Sequence, residues 1–314
     1  MLSRTADSLY WIARYMERAE NMARILRVAD RLTMMPHGVD GADMQEWHSA
    51  VVVSGCEETF YAKYSEATAE NVISHLAFDP ENPSSIRSAL EIARRNARQV
   101  RVALTTEVWE SLNDTWLELP GWTEVRVRGG GLHRFLDWVK GRSLLFHGST
   151  AATMLRRDSY HFTQLGTYIE RGDNTSRILD VKYHVLLPEH AEIGGGLDYY
   201  QWAAILRSVS GQRSYNVLYK DGIKPWNIAR FLILEEQMPR SLVSCMANIN
   251  QALDRLANEY GQRNESHRLA GQLYSRLKFG KVEDVFSQGL HEFLTDYIEQ
   301  NHRLAIEVNR SYLI

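Results

Sequence analysis

The sequence predicts an all-α protein built of long, packed helices, and three observations support that prediction. First, long segments of helix-forming residues are separated by short stretches that contain Gly or Pro. Second, no convincing succession of alternating apolar and polar residues indicates a β-sheet. Third, the Pro residues fall where a helix should start or stop, so their positions agree with the helix ends that the pattern predicts.

The helices can be justified in chain order from their start and stop signals. The first is predicted from about Thr5 to Met34, because no Gly or Pro interrupts this segment before Pro36. Pro83 is predicted to open another long helix, with a following serine as its cap. In order, the predicted helices lie at about 5–34, 41–64, 83–116, 148–187, 197–220, 225–236, 239–261, 266–278 and 281–310, with a shorter helix ending near Asp79 and another following the glycine run 129–131.

The segments between these helices include one short extended piece and two glycine runs. Residues 123–128 alternate in the manner of a short strand or loop. The glycine runs 129–131 and 194–196 are predicted to be flexible joints, because neither carries the Lys-Ser/Thr of a phosphate-binding loop. Pro188 is predicted to end the helix that begins at about residue 148.

An internal repeat organises the chain. Residues 15–26 read YMERAENMARIL and residues 168–179 read YIERGDNTSRIL, an offset of 153 positions. The register continues to the segments GLHRFL at 131–136 and GLHEFL at 289–294, with the offset growing in small steps. We therefore predict a tandem duplication with halves 1–153 and 154–314, each a helical bundle, packed about a pseudo-twofold axis as one compact unit.

Bulk composition limits the classes of function. Hydrophobic residues make up 44% of the chain and charged residues 24%, as in soluble globular proteins. The net charge of −3 gives no general attraction to nucleic acid or to an anionic membrane. Two cysteines are too few for a disulfide framework, and no apolar stretch has the length of a membrane helix. We therefore expect a cytoplasmic protein that binds neither nucleic acid nor membrane.

Each copy of the repeated motif places its polar residues in one sector of a helical wheel, opposite an apolar face. Side chains three or four positions apart on a helix are neighbours, so these polar groups can act together. If the two halves pack about the predicted axis, the two polar faces meet and line one interior site. The candidate substrate-binding residues are Glu17, Arg18, Glu20, Asn21, Arg24, Glu170, Arg171, Asp173, Asn174 and Arg177.

Three interpretations of this site are open. In the first, ion-pair networks fix the register of the long helices. In the second, Glu17, Glu20, Glu170 and Asp173 bind metal ions, although the Glu-x-x-His signature of helical-bundle metal sites is absent. In the third, the arginines clamp a carboxylate or phosphate while two glutamates hold an amine, as an amino acid or a peptide requires. The third interpretation explains the residue types best.

Four aromatic and imidazole side chains recur at matching positions outside the motif. His133 and His291, each among Leu and Phe, are predicted to be hydrogen-bonded core residues rather than bases. Trp47 and Trp202 are predicted to be core aromatics.

The segments 1–4, 9–11 and 14–21, together with the second Glu-Arg pair at 170–171, resemble the bacterial alpha-E family. This is a predicted all-helical family named for its Glu-Arg motif. The resemblance covers the whole chain, including the segments 93–98 and 109–113.

The resemblance implies a partner rather than a mechanism. Members of this family are typically encoded beside, or fused to, a circularly permuted ATP-grasp protein, often with a transglutaminase-like peptidase and sometimes with a proteasome-like peptidase. ATP-grasp enzymes activate a carboxylate as an acyl phosphate for attack by an amine, so this company implies a system that makes and cleaves amide bonds.

We therefore expect a helical companion or subunit of an ATP-grasp-type peptide or amide ligase, which binds an amino-acid or peptide substrate at the paired Glu-Arg faces. No cofactor is expected in this chain, whereas ATP and Mg would bind to the partner. The alternatives are a stand-alone carboxylate-bridged metal enzyme of helical-bundle type and a purely structural adaptor.

Overall fold

The computed structural model describes residues 1–34, 42–186 and 196–313, which form helices and turns with no β-strand among them. The all-α prediction is confirmed. The helices are α1 (Ser3–Thr33), α2 (Ala42–Ser54), α3 (Glu57–Tyr61), α4 (Ala69–Ile73), α5 (Ile86–Gln99), α6 (Thr106–Glu118), α7 (Glu124–Arg126), α8 (Leu132–Thr153), α9 (Asp158–Leu186), α10 (Gly196–Ser208), α11 (Gln212–Leu218), α12 (Pro225–Ile233), α13 (Leu242–Tyr260), α14 (Glu265–Phe279), α15 (Val282–Gln288) and α16 (Leu290–Val308). Short 3₁₀ turns lie at Arg101–Ala103 and Leu119–Gly121, and π turns at Ser74–Phe78, Val127–Gly131 and Asn309–Leu313.

Helix α1 lies at the centre of the fold. Twenty of its 31 residues are buried, because α9, α5, α2 and α8 all pack along it. Its apolar side chains, among them Leu9, Ile12 and Met16, belong to the main hydrophobic core. The face with the polar motif residues is buried as well. The motif on α1 therefore lies inside the protein, on a helix with several neighbours.

Two glycines in α9 allow its neighbours to approach closely. A Cβ atom on Gly166 would lie 2.2 Å from the backbone oxygen of Tyr10 in α1, so any side chain there would force the two helices apart. A Cβ atom on Gly172 would lie 2.4 Å from the hydroxyl oxygen of Tyr297 in α16. Helix α13 packs on the same long helix. The small residues of α9 thus set the distances on which its ion pairs with α1 depend.

Several of the predicted long helices are broken in the structure, and the one predicted over 197–220 is divided into α10 and α11. The prediction of one helix over 41–64 is wrong, because Gly55 takes a left-handed conformation (φ +71°) and ends α2 before α3 begins. The prediction of one helix over 83–116 is also wrong. Ser85 caps α5 as expected, but Thr105 caps a separate helix, its hydroxyl accepting a hydrogen bond from the backbone N–H of Val108.

The predicted helices 148–187 and 281–310 are divided differently in the structure. Residues 148–153 belong to α8, and Met154 then takes an extended conformation (ψ 135°) before α9 begins at Asp158. Gly289, at φ +97°, separates α15 from α16. The predicted helices near 225–236, 239–261 and 266–278 are confirmed as α12, α13 and α14 within a few residues.

The segment 123–128 is helical, so the prediction of a strand or loop there is wrong. The Thr123 hydroxyl caps this turn by accepting a hydrogen bond from the backbone N–H of Arg126 at 3.3 Å. The glycine run at 129–131 continues it as a π turn, with Gly130 at φ +98°. The predicted stops at Pro36 and Pro188, and most of the predicted joint at 194–196, lie outside the described residues.

The predicted boundary between the two halves, at residue 153, falls at the end of α8. The tandem duplication itself stays a prediction. No helix within the described part of the chain is both long enough and apolar enough to cross a membrane.

Candidate functional site

The two copies of the Glu-Arg motif contact each other through reciprocal ion pairs. Arg18 of α1 donates from Nε to Oε1 of Glu170 at 2.7 Å, and Arg171 of α9 donates from Nε to Oε1 of Glu17 at 3.0 Å. The guanidinium carbon of Arg18 lies 5.1 Å from the Tyr15 ring centre, and that of Arg171 lies 5.1 Å from the Tyr168 ring. Each helix thus supplies the guanidinium that binds the carboxylate of the other.

Glu170 is held between two arginines of α1. Arg14 Nε donates to its Oε2 at 2.7 Å, while Arg18 donates to Oε1 at 2.7 Å and to Oε2 at 3.1 Å. Burial alone would raise the pKa of this carboxyl, but Arg18 and Arg14 lower it to about 2. The pKa of Arg14 is raised despite its burial, because Tyr10 and Glu170 favour the charged form.

Glu17 and Glu20 form a second centre one helical turn away. Arg171 and Arg240 both contact Glu17, and Arg24 and Arg240 share a single oxygen, Oε1, of Glu20. The hydroxyl of Ser143 in α8 donates to Oε2 of Glu20 at 2.5 Å, and His147 Nε2 lies 2.8 Å from Oε1 of Glu17. Every oxygen of the two carboxylates therefore faces a cationic group or a hydrogen-bond donor.

The pKa values of this second centre reflect crowding of positive charge. Burial opposes ionisation of Glu17, but Arg171 and Arg240 hold its pKa well below the usual range. Arg240 and Arg24 outweigh the same burial effect at Glu20 and lower its pKa to about 2. Burial, followed by the nearby Arg240, lowers the pKa of Arg24 to about 10. The arginines of this centre repel one another while they share its acids.

Both centres together contain more positive than negative charge. The three buried carboxylates of Glu17, Glu20 and Glu170 contribute −3, and the five guanidiniums that contact them contribute +5, a balance of +2. These five are Arg14, Arg18, Arg24, Arg171 and Arg240. A buried excess of positive charge favours the binding of an anion over the binding of a further cation.

The remaining predicted residues lie at the margin of these centres. Asp173 pairs with Arg177 within α9 at 2.7 Å, and both side chains are partly exposed. Asn174 donates from its amide to the backbone oxygen of Glu17 at 3.3 Å. The side-chain oxygen of Asn21 is buried and accepts no hydrogen bond from the described residues. Asn21 thus leaves one acceptor of this interior unsatisfied, a rare condition for a buried polar atom.

Four important side chains were not predicted from the sequence: Arg14, Ser143, His147 and Arg240. One signal existed for Arg14, which stands four positions before Arg18 on the same helix face. Like charges at that spacing repel each other, so a shared acid was implied. Ser143, His147 and Arg240 come from α8 and from the segment before α13, and no local pattern marks them.

The structure does not gather the four carboxylates proposed as metal ligands. Ligand atoms of Glu17, Glu20 and His147 lie within 4.8 Å of one another, and no other such group of three or more is found in the described residues. Glu170 is occupied by its two arginines, and Asp173 pairs with Arg177. The arginines around Glu17 and Glu20 would have to move before a divalent cation could bind.

The recurring histidines are not core residues, so that prediction is wrong. His133 is half-exposed and contacts Asp30 at 2.5 Å, and His291 contacts Asp180 at 2.8 Å. Each histidine links an α-helix start to the C-terminal part of a motif helix. Trp47 and Trp202 are buried core aromatics, as predicted.

The protein is a helical bundle with a buried centre in which two Glu-Arg pairs contact each other reciprocally. The chain belongs to the Alpha-E family, described as a predicted alpha-helical domain with a conserved ER motif, which it matches over residues 1–313. This sequence contains two Glu-Arg dipeptides, Glu17-Arg18 and Glu170-Arg171, and these form the reciprocal contacts.

Similar proteins occur in mycobacteria. The chain is 23% identical to the uncharacterized protein Mb2597 of Mycobacterium bovis over 322 residues, a match that covers 95% of this chain and 35% of the relative. It is 22% identical to the uncharacterized protein Rv2567 of Mycobacterium tuberculosis, with the same coverage. The chain therefore spans about a third of the length of the curated relatives it matches. No solved structure matches it.

Proposed function

We propose that this chain is a helical companion or subunit of an ATP-grasp-type peptide or amide ligase, and that it binds an amino-acid or peptide substrate at the Glu-Arg centre. The observation that carries the proposal is the charge balance of +2 around three buried carboxylates. An excess of guanidinium groups suits a substrate carboxylate, and the amine of the substrate would bind Glu17 or Glu170 in exchange for an arginine that this carboxylate releases.

Access to the centre supports the proposal. The side chains of Glu17 and Glu20 are fully buried, but those of Arg18 and His147 keep 20% and 17% of their surface exposed. A substrate carboxylate arriving from solvent would meet these groups at the margin before it reached the buried acids. The fixed guanidiniums would orient it by paired hydrogen bonds, which is the geometry in which arginine binds carboxylates.

The relatives support the companion role. The matched region is about a third of each mycobacterial relative, so there the helical unit is part of a longer chain. A partner that supplies ATP and Mg would provide the activation step, and this chain would supply substrate binding. The transglutaminase-like peptidase that the family resemblance implies would act on the same class of amide bonds.

A pull-down from the native cell tests the partnership. The tagged chain is captured and the co-purifying proteins are identified by mass spectrometry. Recovery of an ATP-grasp protein in comparable amount is the expected result, and its absence would contradict the companion role. Amide formation by the recovered pair is then compared between wild type and Arg171→Lys, which keeps the charge but loses the bidentate geometry. Arg95→Lys, on the exposed surface of α5, is the matched control.

Two outcomes of that comparison separate binding from architecture. If Arg171→Lys raises the KM for the amine or carboxylate substrate while its unfolding midpoint stays near wild type, the centre binds substrate. If it lowers the unfolding midpoint and leaves the kinetics unchanged, the centre is a structural ion-pair network, and the chain is an adaptor.

A metal enzyme is the second candidate, because Glu17, Glu20 and His147 bring three ligand atoms within 4.8 Å. Carboxylate oxygens with one imidazole suit iron, manganese or zinc. Elemental analysis of protein purified without added metal tests this candidate. Near-stoichiometric metal that is lost in Glu20→Gln would support it, and a metal-free, folded protein would eliminate it.

A further inference from the structure

A second candidate binding site lies outside the Glu-Arg centre, in a cleft between α9 and α13. The cleft has a volume of about 420 Å³. Small-molecule sites in proteins fall in the range of roughly 300–1,000 Å³. One wall comes from residues 156–168 and the other from residues 248–255, so two long helices with buried apolar faces fix its width.

The charged groups that line the cleft are all basic. Arg156 and Arg255 stand on opposite walls, and no acidic side chain is part of the lining. Arg156 Nη1 donates to the hydroxyl of Tyr160 at 2.7 Å, and its guanidinium carbon lies 4.8 Å from the same ring. Neither arginine forms an ion pair with a described carboxylate, in contrast to the arginines of the Glu-Arg centre. Two unneutralised guanidiniums across a cleft make an anion site.

His161 lies on the α9 wall of this cleft, where it can report the binding of a ligand. It is nearly buried between the two walls, and burial lowers its pKa, with Arg255 and Arg156 acting in the same direction. The backbone of Arg156 and the carboxylate of Glu259 act in the opposite direction, and each has a larger effect on this pKa than the charge of either arginine. A bound anion would offset the arginines and raise the pKa of this imidazole.

The uncharged residues that line the cleft indicate what else its ligand would carry. Gln164, Asn248 and Gln251 carry amide groups, which donate to and accept from peptide-like or hydroxyl-bearing parts of a molecule. Tyr168 also lines the cleft, and its ring lies against the guanidinium of Arg171. The cleft is thus adjacent to the Glu-Arg centre but does not include its carboxylates.

We propose that this cleft binds a small anionic molecule, with Arg156 and Arg255 contacting its carboxylate or phosphate group and the amides contacting its neutral part. The proposal is independent of the proposed ligase function, because none of its residues belongs to the Glu-Arg centre.

Titration of the full chain with sodium phosphate and, separately, with sodium glutamate tests the proposal by NMR. The probe is the His161 imidazole proton signal, assigned by its loss in His161→Gln. We expect a saturable shift with at least one anion, weakened by about tenfold or more in Arg156→Gln and in Arg255→Gln. Arg95→Gln removes the same charge from the surface of α5 and should leave the affinity unchanged.

The outcomes are distinguishable. Saturation by phosphate alone assigns a phosphate-bearing ligand, and saturation by glutamate alone assigns a carboxylate-bearing one. Absence of saturable binding for both probes up to about 10 mM, or equal affinity in wild type and both arginine variants, would overturn the proposal. Far-UV circular dichroism of each variant verifies that the helices are intact. Loss of the His161 signal change then means loss of anion binding rather than unfolding.

Discussion

Replacing Glu170 by Gln would remove the single carboxylate that neutralises Arg14 and Arg18. The substitution keeps the size of the side chain and changes only its charge and one hydrogen-bonding atom. Both arginines, whose side chains are 14% and 20% exposed, would be left without an acid, because Glu170 accepts hydrogen bonds from each of them and no other described carboxylate pairs with either.

The expected loss of stability follows from the pKa of Glu170. Its value of about 2, in place of 4.5 for an unperturbed glutamate, corresponds to about 3 kcal/mol of stabilisation at neutral pH. Independent measurements on buried ion pairs give about 3–5 kcal/mol for the removal of one partner. We therefore expect Glu170→Gln to lower the free energy of unfolding by about 3 kcal/mol.

Urea unfolding followed by far-UV circular dichroism measures this effect. The pKa of Glu170 is lower in the folded than in the unfolded protein, so its contribution is complete above pH 4.5 and is lost as the pH falls toward about 2. The difference in unfolding free energy between wild type and Glu170→Gln should therefore be largest at neutral pH and should shrink below pH 4.5.

The matched control is Asp173→Asn, one turn along the same helix. Asp173 pairs with Arg177 at the i,i+4 spacing and is partly exposed, so its loss should cost about 0.5 kcal/mol. Equal effects for the two substitutions, or a Glu170→Gln difference that does not change between pH 7 and pH 3, would refute the assignment of Glu170 as the buried acid shared by two arginines.

Three further predictions concern the surroundings of this centre. Gly166→Ala should lower the unfolding free energy by about 1–3 kcal/mol through overpacking, whereas Gly141→Ala, with nothing within 4 Å of the added methyl group, should raise it by about 0.5–1 kcal/mol, both measured by urea unfolding. Ser143→Ala should cost about 1.5–3 kcal/mol in the same assay, because Glu20 loses a buried donor, and an effect near zero would contradict that contact. Burial raises the pKa of Cys245 to about 12, so a thiol reagent at pH 8 should leave it unmodified until urea unfolds the protein, and rapid modification of the native protein would show that it is accessible.

Local signals were enough to predict α1 but not the breaks in other helices. The uninterrupted segment before Pro36 and the motif spacing gave the helix and its polar face directly. Gly55 was ambiguous, since a glycine inside a helix costs only about 1 kcal/mol, whereas the left-handed conformation that ends α2 depends on the chain that follows. A capping threonine, such as Thr105 or Thr123, is equally common in loops, so its role appears only with the fold.

The candidate site likewise contains residues that the sequence predicted and partners that it did not. All ten predicted residues lie on α1 and α9, but the sequence indicated only that their polar faces would meet if the two halves packed about the predicted axis. The partners Ser143 and Arg240 stand 123 and 220 positions away from Glu20. Contacts of that separation are fixed by the tertiary packing of α8 and α13 against α1 and α9, which no helical period encodes.

The central position of α1 has a consequence for the order of events during synthesis. Glu17 and Glu20 pair with Arg171 and Arg240, respectively. The ribosome adds these arginines more than 150 and more than 200 residues later. At about 5–20 residues per second, the last of these arginines follows Glu20 by about 10–45 s. Until then these acids lack two of the arginines that neutralise them, and Glu20 has only Arg24 of its own helix, so the interior around them closes only after Arg240 has been made.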